Sequence, residues 1–478
     1  MKLMSKVVLQ RVLTIICILP VIGCMSVGPN YEQPATEMPA NWQNTGDPAL
    51  VPDADLVRQW WTLFNDPLLN KLISEASRNN LNLMTAIARV EESRARLGIA
   101  TGERYPSMDV EGSTTRQRGS ENSISGAGYK ETVYSSRAGS SWQIDLFGRI
   151  RRSVEAAAAQ YQASEEDRTD VMITIYADVA LTYLDIRTYQ ARLAAAKANI
   201  ASQKKVLRLT QSRFKHGLTT DLDVAQSERL LARAEAEVPP LRIALAQGVN
   251  NLAVLLGRRP GTLHKHLMTP QEIPLPPPKA TVGVPANLLR QRADIRKAER
   301  LLAAQTARIG VAKADLYPSL SLTGSFGFES IDIKDLFDAG SRVLSFGPSL
   351  RWNIFSGGRI RNNIKMQDAI VRQSLFTYEQ TVLNALREVE NTLKAYIEDR
   401  IRLSALERSV SAARRSVKVA TGLYKQGLAD FQPVLDAQRD QFDFENQLAV
   451  ARGNSAANFV RLYTALGGGW DPNQTNKM

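Results

Sequence analysis

The stretch Val343–Phe355 reads VLSFGPSLRWNIF, and its residues alternate between two chemical classes. The even positions are apolar, and most odd positions are small or polar. Ser319–Phe328, SLSLTGSFGF, alternates in the same sense, and Ser107–Thr115 and Tyr134–Leu146 do so more weakly. One apolar and one polar face over about ten residues is typical of a membrane β-strand around a wet lumen. A half-buried sheet in a soluble protein alternates in the same way, so the pattern alone favours neither.

The N-terminal residues have the layout of a secretory signal. Basic residues come first, at Lys2, Lys6 and Arg11, and an apolar run over 12–22 follows. This run is too short for a membrane-spanning helix, which needs about 20 residues. The signal ends in Val21-Ile22-Gly23-Cys24, which resembles the lipobox of bacterial lipoproteins. There the cysteine thiol takes a diacylglycerol and becomes the new N-terminus, so Cys24 is the predicted lipidation site; the alternative is an ordinary secretory signal with an incidental cysteine.

Export and a lipid anchor favour the membrane interpretation of the strands. The other cysteine, Cys17, leaves with the signal, so the mature chain can form no disulfide within itself. Residue 25 is Met and not the Asp that marks inner-membrane retention in many such lipoproteins.

The chain is basic, with a formal net charge of +12. An excess of basic residues is typical of proteins that bind nucleic acid. Export argues against that partner, and the basic residues are spread along helical patterns instead of forming one block. No nucleic-acid partner is therefore predicted.

The two halves of the chain repeat one another. Trp142–Arg151, WQIDLFGRIR, matches Trp352–Arg361, WNIFSGGRIR, at an offset of 352 − 142 = 210 residues. Further matches at 210 or 212 follow in the same order: Phe214–Leu218 with Tyr424–Leu428, Leu256-Gly257 with Leu466-Gly467, and Tyr105–Ser107 with Tyr317–Ser319. The Pro-rich segment 270–285 separates the two copies and is interpreted as a linker.

These features predict the division of the chain. The segments are a signal peptide over 1–23, a lipidated N-terminal segment over 24–64, a first repeat over 65–265, a Pro-rich linker over 266–284, a second repeat over 285–470 and a C-terminal tail over 471–478. Each repeat reads helix, two strands, very long helix, turn, long helix. Asp66-Pro67 predicts an N-cap and the start of the first helix, which runs to about Thr101. Its counterpart follows Pro285 and runs to about Leu316.

A very long helix lies in each repeat. No Gly or Pro occurs from Arg149 to His216 or from Arg359 to Thr421. At 1.5 Å per residue such helices reach roughly 100 Å, so they must pack lengthwise against other long helices. Apolar residues recur three and four apart, as in a coiled-coil seam. The seam positions include Met172, Ile175, Val179, Ile186, Leu193, Val382, Leu386, Val389, Leu393 and Tyr396.

The four predicted strands cannot close a membrane barrel by themselves. Open strand edges cannot face lipid, because each unpaired N–H or C=O costs several kcal/mol. Bacterial outer-membrane barrels have at least about 8 strands, and a barrel of 8 leaves almost no channel. The predicted fold class is therefore mainly α with membrane β. A homotrimer forms a 12-stranded β-barrel, four strands per chain, continued by a long periplasmic α-helical barrel and built on an internal tandem duplication.

Four blocks of the sequence resemble those of a known protein family. The sequence resembles the TolC-type outer-membrane efflux ducts, in the lipoprotein branch often called NodT-like. Four blocks carry the resemblance over nearly the whole mature chain: Gly28–Tyr31, Trp60–Leu69, Val284–Arg296 and Ile309–Ser319. One departure is Ala293, where the family usually has Pro.

The resemblance implies a trimeric duct of an efflux pump, lipid-anchored in the bacterial outer membrane and extending into the periplasm. Its partners would be a periplasmic membrane-fusion adaptor, an inner-membrane pump of the resistance-nodulation-division type and outer-membrane lipid. Drugs or other toxic small molecules would leave through it. The resemblance implies no enzymatic activity, no cofactor and no metal.

The resemblance also assigns roles to the two hairpin tips, Arg213–Asp223 and Tyr424–Asp436. Gly217, Leu218, Gly427 and Leu428 would contact the adaptor; the alternative is that the glycines only terminate helices. Asp436 would line the constriction of the gate, and Arg439 would be its basic partner one helical turn further along. Asp223 and Tyr424 would link neighbouring helices and hold the tube shut. Under three-fold symmetry Asp436 forms a ring that favours cations. The alternative is an exposed i, i+3 pair of Asp436 and Arg439, worth about 0.3–0.5 kcal/mol.

Two other functions compete with the efflux duct. A periplasmic adaptor has one helical hairpin and no duplicated strand pairs, so the repeat counts against it. A duct for type I protein secretion shares the fold, and only the resemblance favours efflux over it. Candidate chemistry is weak, because His264-x-His266 lacks a third ligand nearby and Asp221-x-Asp223 lacks the glycine and glutamate of a calcium loop.

Overall fold

The computed structural model describes residues 26–43, 46–48, 50–52, 58–122, 128 and 130–470. The predicted signal peptide, Cys24 and the predicted tail 471–478 lie outside the described residues. The chain divides into two compact units. The sheet unit comprises the described parts of 1–35, 89–165 and 297–379, and the helical unit comprises those of 36–88, 166–296 and 380–478.

Helices dominate the described part of the chain. In chain order they are α1 Pro67–Asn79, α2 Leu81–Gly102, α3 Arg149–Lys215, α4 Asp221–Ala236, α5 Val238–Leu255, α6 His264–Leu267, α7 Leu288–Gln291, α8 Ala293–Ala314, α9 Arg359–Gln426 and α10 Gln432–Ala465. The strands are β1 Leu50–Pro52, β2 Ser107–Arg118, β3 Lys130–Ile144, β4 Ala280–Val282, β5 Ser319–Ser330 and β6 Arg342–Arg351. Short 3₁₀ helices cover Trp60–Phe64, Pro285–Asn287, Ile333–Asp335 and Ala339–Ser341.

The four predicted strands form one antiparallel sheet in the order β2-β3-β5-β6. Val110 lies opposite Ala138, Ala138 opposite Phe326, and Phe326 opposite Leu344. Because side chains alternate along a strand, this register places the apolar positions of all four strands on one face. Within one chain, β2 and β6 are the edges of this sheet.

The two very long helices are confirmed. α3 has 67 residues and α9 has 68, and Gly422 does not interrupt α9. Seam residues of α3 within the helical unit are buried, among them Ile175, Val179 and Ile186. The corresponding seam of α9 buries Val382, Val389 and Leu393. Burial of these positions, which recur three and four apart, stabilises the long helices more than their intrinsic propensity does.

The first predicted helix is divided in two at Asn80. Asn80 has extended backbone torsions, and its Oδ1 accepts hydrogen bonds from the N–H groups of Asn82 at 2.9 Å and Leu83 at 3.1 Å. Its Nδ2 donates to the carbonyl of Leu255 at 2.8 Å. The asparagine therefore ends α1 and caps α2, a role for which its short amide side chain is suited.

The helices that return from the two tips differ between the repeats. In the first repeat Pro239 and Pro240 lie in the first turn of a new helix, so the return is split into α4 and α5 at Glu237. Proline is tolerated in a first turn but not in a helix interior. α10, the counterpart in the second repeat, is continuous over 34 residues.

A buried arginine fixes the connection after α6 to the long helix α3. Arg187 is fully buried, and its guanidinium donates to Gln190 at 2.8 Å, to the carbonyl of Thr269 at 3.2 Å and to Gln271 at 2.6 Å. It also lies 4.9 Å from the ring centroid of Tyr183, whose hydroxyl donates to Asp66 at 2.6 Å. Burial, reinforced by the Asp66 hydrogen bond, raises the pKa of Tyr183, so the hydroxyl stays protonated and remains a donor.

Candidate functional site: strand faces and hairpin tips

The apolar face of the sheet is open to its surroundings in a single chain. Val110 is 79% exposed, Leu344 78% and Phe346 74%. Exposed apolar side chains of this size, in register across four strands, make a contiguous patch that water solvates poorly. Such a face requires an apolar environment.

The opposite face of the sheet is polar. Ser113 and Ser135 share a hydrogen bond of 2.9 Å between their hydroxyls, and Gln117 donates to Glu131 at 2.6 Å. Arg137 forms an ion pair with Glu329 across β3 and β5. All four carboxylates of the four strands lie at odd positions, on this face: Asp109, Glu111, Glu131 and Glu329. The two faces are therefore segregated as a strand between lipid and a wet lumen requires.

Tryptophans mark the end of the sheet that adjoins the helices. The indole N–H of Trp142 donates to the carbonyl of Arg104 at 2.9 Å. In the second repeat the indole N–H of Trp352 donates to the carbonyl of Leu316 at 3.0 Å. Both indoles are partly exposed, and amphipathic aromatic rings are enriched where a membrane meets water. The duplicated contact defines one boundary of the apolar face.

The N-terminal residues pack beside this boundary within the sheet unit. The N–H of Val27 donates to the carbonyl of Phe147 at 3.2 Å. Arg152 is 3% exposed and donates to the carbonyl of Val27 at 3.2 Å and to the side chain of Asn30 at 2.8 Å. Gly148 has φ +79°, and a Cβ there would lie 2.7 Å from the Cα of Ser26. Glycine is therefore needed at residue 148 for both its backbone conformation and the close approach of the chain.

Both hairpin tips end their long helices in the same way. Gly217 has φ +69° and Gly427 has φ +70°, in the left-handed region. The N–H of Leu218 donates to the carbonyl of Arg213 at 2.9 Å, and that of Leu428 donates to the carbonyl of Leu423 at 3.0 Å. These bonds span five residues, as in a Schellman motif. The two leucines are exposed, 63% at Leu218 and 70% at Leu428.

The two tips contact one another through Arg213 and Tyr424. Nη1 of Arg213 donates to the carbonyl of Tyr424 at 2.8 Å, and the guanidinium lies 4.5 Å from the centroid of the tyrosine ring. Nη2 of Arg213 donates to the carbonyl of Leu218 at 3.3 Å. Tyr424 is 2% exposed and packs with Val206, Phe431, Val434 and Leu435. One arginine thus joins its own turn to the end of the opposite long helix.

Asp223 is connected to Tyr424 through Thr219. The Tyr424 hydroxyl donates to Oγ1 of Thr219 at 3.4 Å, and that hydroxyl donates in turn to Oδ2 of Asp223. The same carboxylate oxygen accepts from the N–H of Thr220 at 3.3 Å, which caps the start of α4. The two residues predicted to link helices are therefore brought together within one chain.

Asp436 and Arg439 lie on one partly exposed side of α10. Their side chains approach to 3.6 Å, and Arg439 lies equally close to Asp440. The Oδ2 atom of Asp436 also accepts from Gln432 at 3.2 Å. Both residues are about half exposed, so water screens the pair and leaves the carboxylate accessible.

Three participants at the tips were not among the predicted functional residues. Arg213 was recognised only as the start of a tip, and Thr219 and Phe431 were not singled out. The local signals were a basic residue in the last helical turn, a threonine beside an N-cap and an aromatic residue before a helix. Such signals predict where helices end. They do not predict the contacts between the two tips, whose residues are about 210 positions apart in the sequence.

The comparisons with known proteins agree with this geometry. The family model described as outer membrane efflux protein matches residues 72–258 and 284–468, and this chain belongs to that family. It is 33% identical over 452 residues to "Nodulation protein T" of Rhizobium leguminosarum bv. trifolii, covering 94% of this chain and 95% of that protein. It is 34% identical over 467 residues to "Solvent efflux pump outer membrane protein SrpC" of Pseudomonas putida, covering 95% and 97%. Among solved structures, the outer-membrane channel OprN superposes with a TM-score of 0.89 at 34% identity, over 94% of this chain and all of that one.

The predicted family, fold class and class of function are confirmed. The chain is a TolC-like outer-membrane channel of the efflux type, and neither the adaptor nor the protein-secretion duct is favoured. Among the described helices, none is long and apolar enough to cross a membrane. In the described ranges, no group of three or more His, Cys, Asp or Glu side chains is placed to hold a metal ion.

Proposed function

We propose that three copies of this chain form the outer-membrane duct of a tripartite efflux pump. The observation that carries this proposal is the four-stranded sheet. Its apolar face is exposed, and its edges, β2 and β6, have no partner strand among the described residues of one chain. In lipid the N–H and C=O groups of both edges must be paired. Since β2 and β6 run antiparallel, the β6 edge of one copy can pair with the β2 edge of the next. Three copies give 12 strands, which is wide enough for a lumen.

The partners of this duct are a periplasmic adaptor and an inner-membrane pump of the resistance-nodulation-division type. The exposed tips support an adaptor contact, since Leu218 and Leu428 present apolar side chains on two equivalent turns. Gly217 and Gly427 hold those turns in conformations that a side chain would strain. Docking of the adaptor on both tips would favour a rearrangement of the contact between the two tips.

Asp436, Arg439, Asp223 and Tyr424 form the gate in this proposal. Asp436 is accessible and, repeated three times, forms a ring of carboxylates at the constriction. The connection from Asp223 through Thr219 to Tyr424 keeps the two tips of one chain together. Opening then requires this intrachain contact, or its equivalents between chains, to rearrange.

The cargo is a class of small toxic molecules, as the name of the solvent-efflux relative supports. The duct performs no chemistry, requires no cofactor and is not an enzyme. Selection among molecules lies with the pump. A channel wide enough for many compounds discriminates mainly by charge at its narrowest ring.

Cys24 carries the lipid anchor, a diacylglycerol with an added palmitate. The placement of Ser26 supports this, because Ser26 lies against Gly148 at the end of the sheet that Trp142 marks. Cys24 precedes Ser26 by two residues, so the proposed lipidation site adjoins this segment in the sequence. Replacing Cys24 by Ser should abolish labelling with palmitate, whereas replacing Cys17 should not. Equal labelling of both variants would refute the anchor.

The function is tested in a strain that lacks its own outer-membrane channel but keeps an adaptor and a pump. Expression of this chain should restore resistance to toxic solvents or drugs. The purified protein should have the mass of a trimer and conduct ions across planar bilayers. A monomer without conductance would overturn the proposal.

A further inference from the structure

We propose that four cations on the apolar face of the sheet bind the phosphate groups of the glycolipid in the outer leaflet of the outer membrane. They are Arg116 and Arg118 on β2, Lys130 on β3 and Arg342 on β6. This inference rests on the proposed function, which orients the sheet in the membrane. The four residues are defined here as the basic rim.

The register places three members of the basic rim at one end of the β2–β3 pair, and Arg342 lies at the same end of β6. Arg118 lies directly opposite Lys130, and Arg116 lies two residues along the same strand. Arg342 lies opposite Phe328, at the first position of β6. All four are at even positions, on the face that carries Val110, Ala138, Phe326 and Leu344, and all four are exposed. In the trimer the edge strands β2 and β6 of neighbouring copies adjoin, which extends the rim around the barrel.

All charged residues on this face of the four strands are basic, and all belong to the basic rim. No carboxylate lies on this face within the strands, all of which are described, and the basic rim supplies its only charged residues. Two other strand cations, Arg137 and Arg351, lie on the polar face with the carboxylates. Arg118 also forms an ion pair of 3.5 Å with Glu121, and both side chains are well exposed. A solely cationic band on a lipid-facing surface matches an anionic layer of headgroups.

The distance from the aromatic end places the basic rim at the far headgroup layer. Arg116 is eight residues from Met108, and Arg342 is eight residues from Leu350. At about 3.3 Å per residue and a tilt of about 40°, eight residues span about 20 Å of membrane thickness. Trp142 and Trp352 mark the opposite end, next to the helices. With the helices in the periplasm, the rim lies in the outer leaflet, where phosphorylated glycolipid is the anionic component.

Arginine suits this ligand. Its planar guanidinium binds two phosphate oxygens at once, and lysine adds a compact charge. Charged side chains near a membrane interface are tolerated, whereas the same residues at mid-depth would destabilise the barrel. A rim that served only to stop the strands at the water boundary would require no phosphate and no particular lipid.

The test uses the full chain, purified as a trimer in a nonionic detergent, with lipid binding measured by native mass spectrometry. The probes are bisphosphorylated lipid A, dephosphorylated lipid A and phosphatidylethanolamine. The variant R116Q/R118Q/K130Q/R342Q should bind bisphosphorylated lipid A at least about tenfold more weakly than the wild type. The matched control K205Q/R208Q/R229Q/R415Q removes four exposed cations from helices and should bind as the wild type does. R116K/R118K/R342K, which keeps the charges, should retain most of the binding.

The outcomes separate this inference from the proposed function. If the trimer forms and conducts but binds phosphorylated and dephosphorylated lipid A equally, the basic rim does not bind phosphate and only this inference is wrong. Equal loss of binding in the rim variant and the helix control would also overturn it, because the effect would be general electrostatics. If no trimer forms, the proposed function fails first.

Discussion

The guanidinium of Arg213 makes two contacts with Tyr424. It donates a hydrogen bond of 2.8 Å to the tyrosine carbonyl, and its central carbon lies 4.5 Å from the centroid of the tyrosine ring. The two residues are 211 positions apart and lie in the last turns of the two longest helices. Each contact alone is modest, yet both use one planar group that already donates to Leu218. The arginine is therefore the residue through which the two tips of one chain constrain each other.

Replacing Arg213 by Ala should weaken the contact between the tips. The loss of a hydrogen bond and a cation–π contact should lower the free energy of unfolding by about 1–3 kcal/mol and raise the conductance of the resting channel in planar bilayers. Arg208→Ala, on an exposed position of the same helix, is the matched control and should change neither quantity. A resting conductance that is identical in all three proteins would show that this contact does not hold the duct closed.

Replacing Asp436 by Asn should reduce the preference of the channel for cations. The carboxylate is about half exposed, and its pairing with Arg439 at 3.6 Å leaves it accessible to passing ions. Three such losses remove three negative charges from the proposed constriction. The measurement is the reversal potential in a salt gradient, with Asp221→Asn, an exposed carboxylate on the other tip, as the control. An unchanged reversal potential would place the constriction elsewhere.

Much of the fold follows from the sequence, because it rests on local periodicity. The alternation in Val343–Phe355 predicts a strand and its two faces, and the absence of Gly and Pro after Arg149 predicts the length of α3. The division at Asn80 was missed, since an asparagine in a helical pattern is a cap only when its amide finds Asn82 and Leu83. Tertiary contacts settle that choice.

The candidate site was less predictable than the fold. The glycines of the tips have a local signature, because a left-handed turn after a long helix favours Gly. The contact of Arg213 with Tyr424 has none, since it depends on how two distant hairpins meet. The fully buried Arg187 is similar: it follows apolar seam positions, and only the segment near Thr269 explains why a charge is tolerated there.

Two glycines within helices should respond in opposite ways to alanine. A Cβ at Gly453 in α10 would lie 2.2 Å from Oγ1 of Thr188, whose hydroxyl is already engaged with the carbonyl of Leu184. Gly453→Ala should therefore lower the free energy of unfolding by about 1–3 kcal/mol. At Gly422 in α9 a Cβ would meet nothing within 4 Å, so Gly422→Ala should be neutral or stabilise by up to about 1 kcal/mol. Thermal unfolding of both variants checks the pair, and destabilisation of similar size would contradict the assigned packing.

The buried Arg152 holds the described residues that follow Cys24. Its Nε donates to the carbonyl of Val27 at 3.2 Å, Nη2 donates to Asn30 at 2.8 Å, and Nη1 pairs with Glu155 at 2.7 Å. Because the guanidinium is buried, Arg152→Ala leaves acceptors without partners and should cost about 2–4 kcal/mol locally. Hydrogen exchange at the N–H of Val27, which donates to Phe147, should accelerate at least about tenfold.

Arg149 supplies the control, since it lies within the same turn of α3 as Arg152. Its ion pair with Asp315 spans 3.4 Å, and both side chains are nearly half exposed. Screening by water limits such a pair to about 0–1 kcal/mol, so Arg149→Ala should leave the exchange of Val27 unchanged. If both variants accelerate exchange equally, the segment is held by the helix end as a whole and not by the buried guanidinium. If only Arg152→Ala does so, the position of the residues that follow the proposed lipidation site depends on a single side chain.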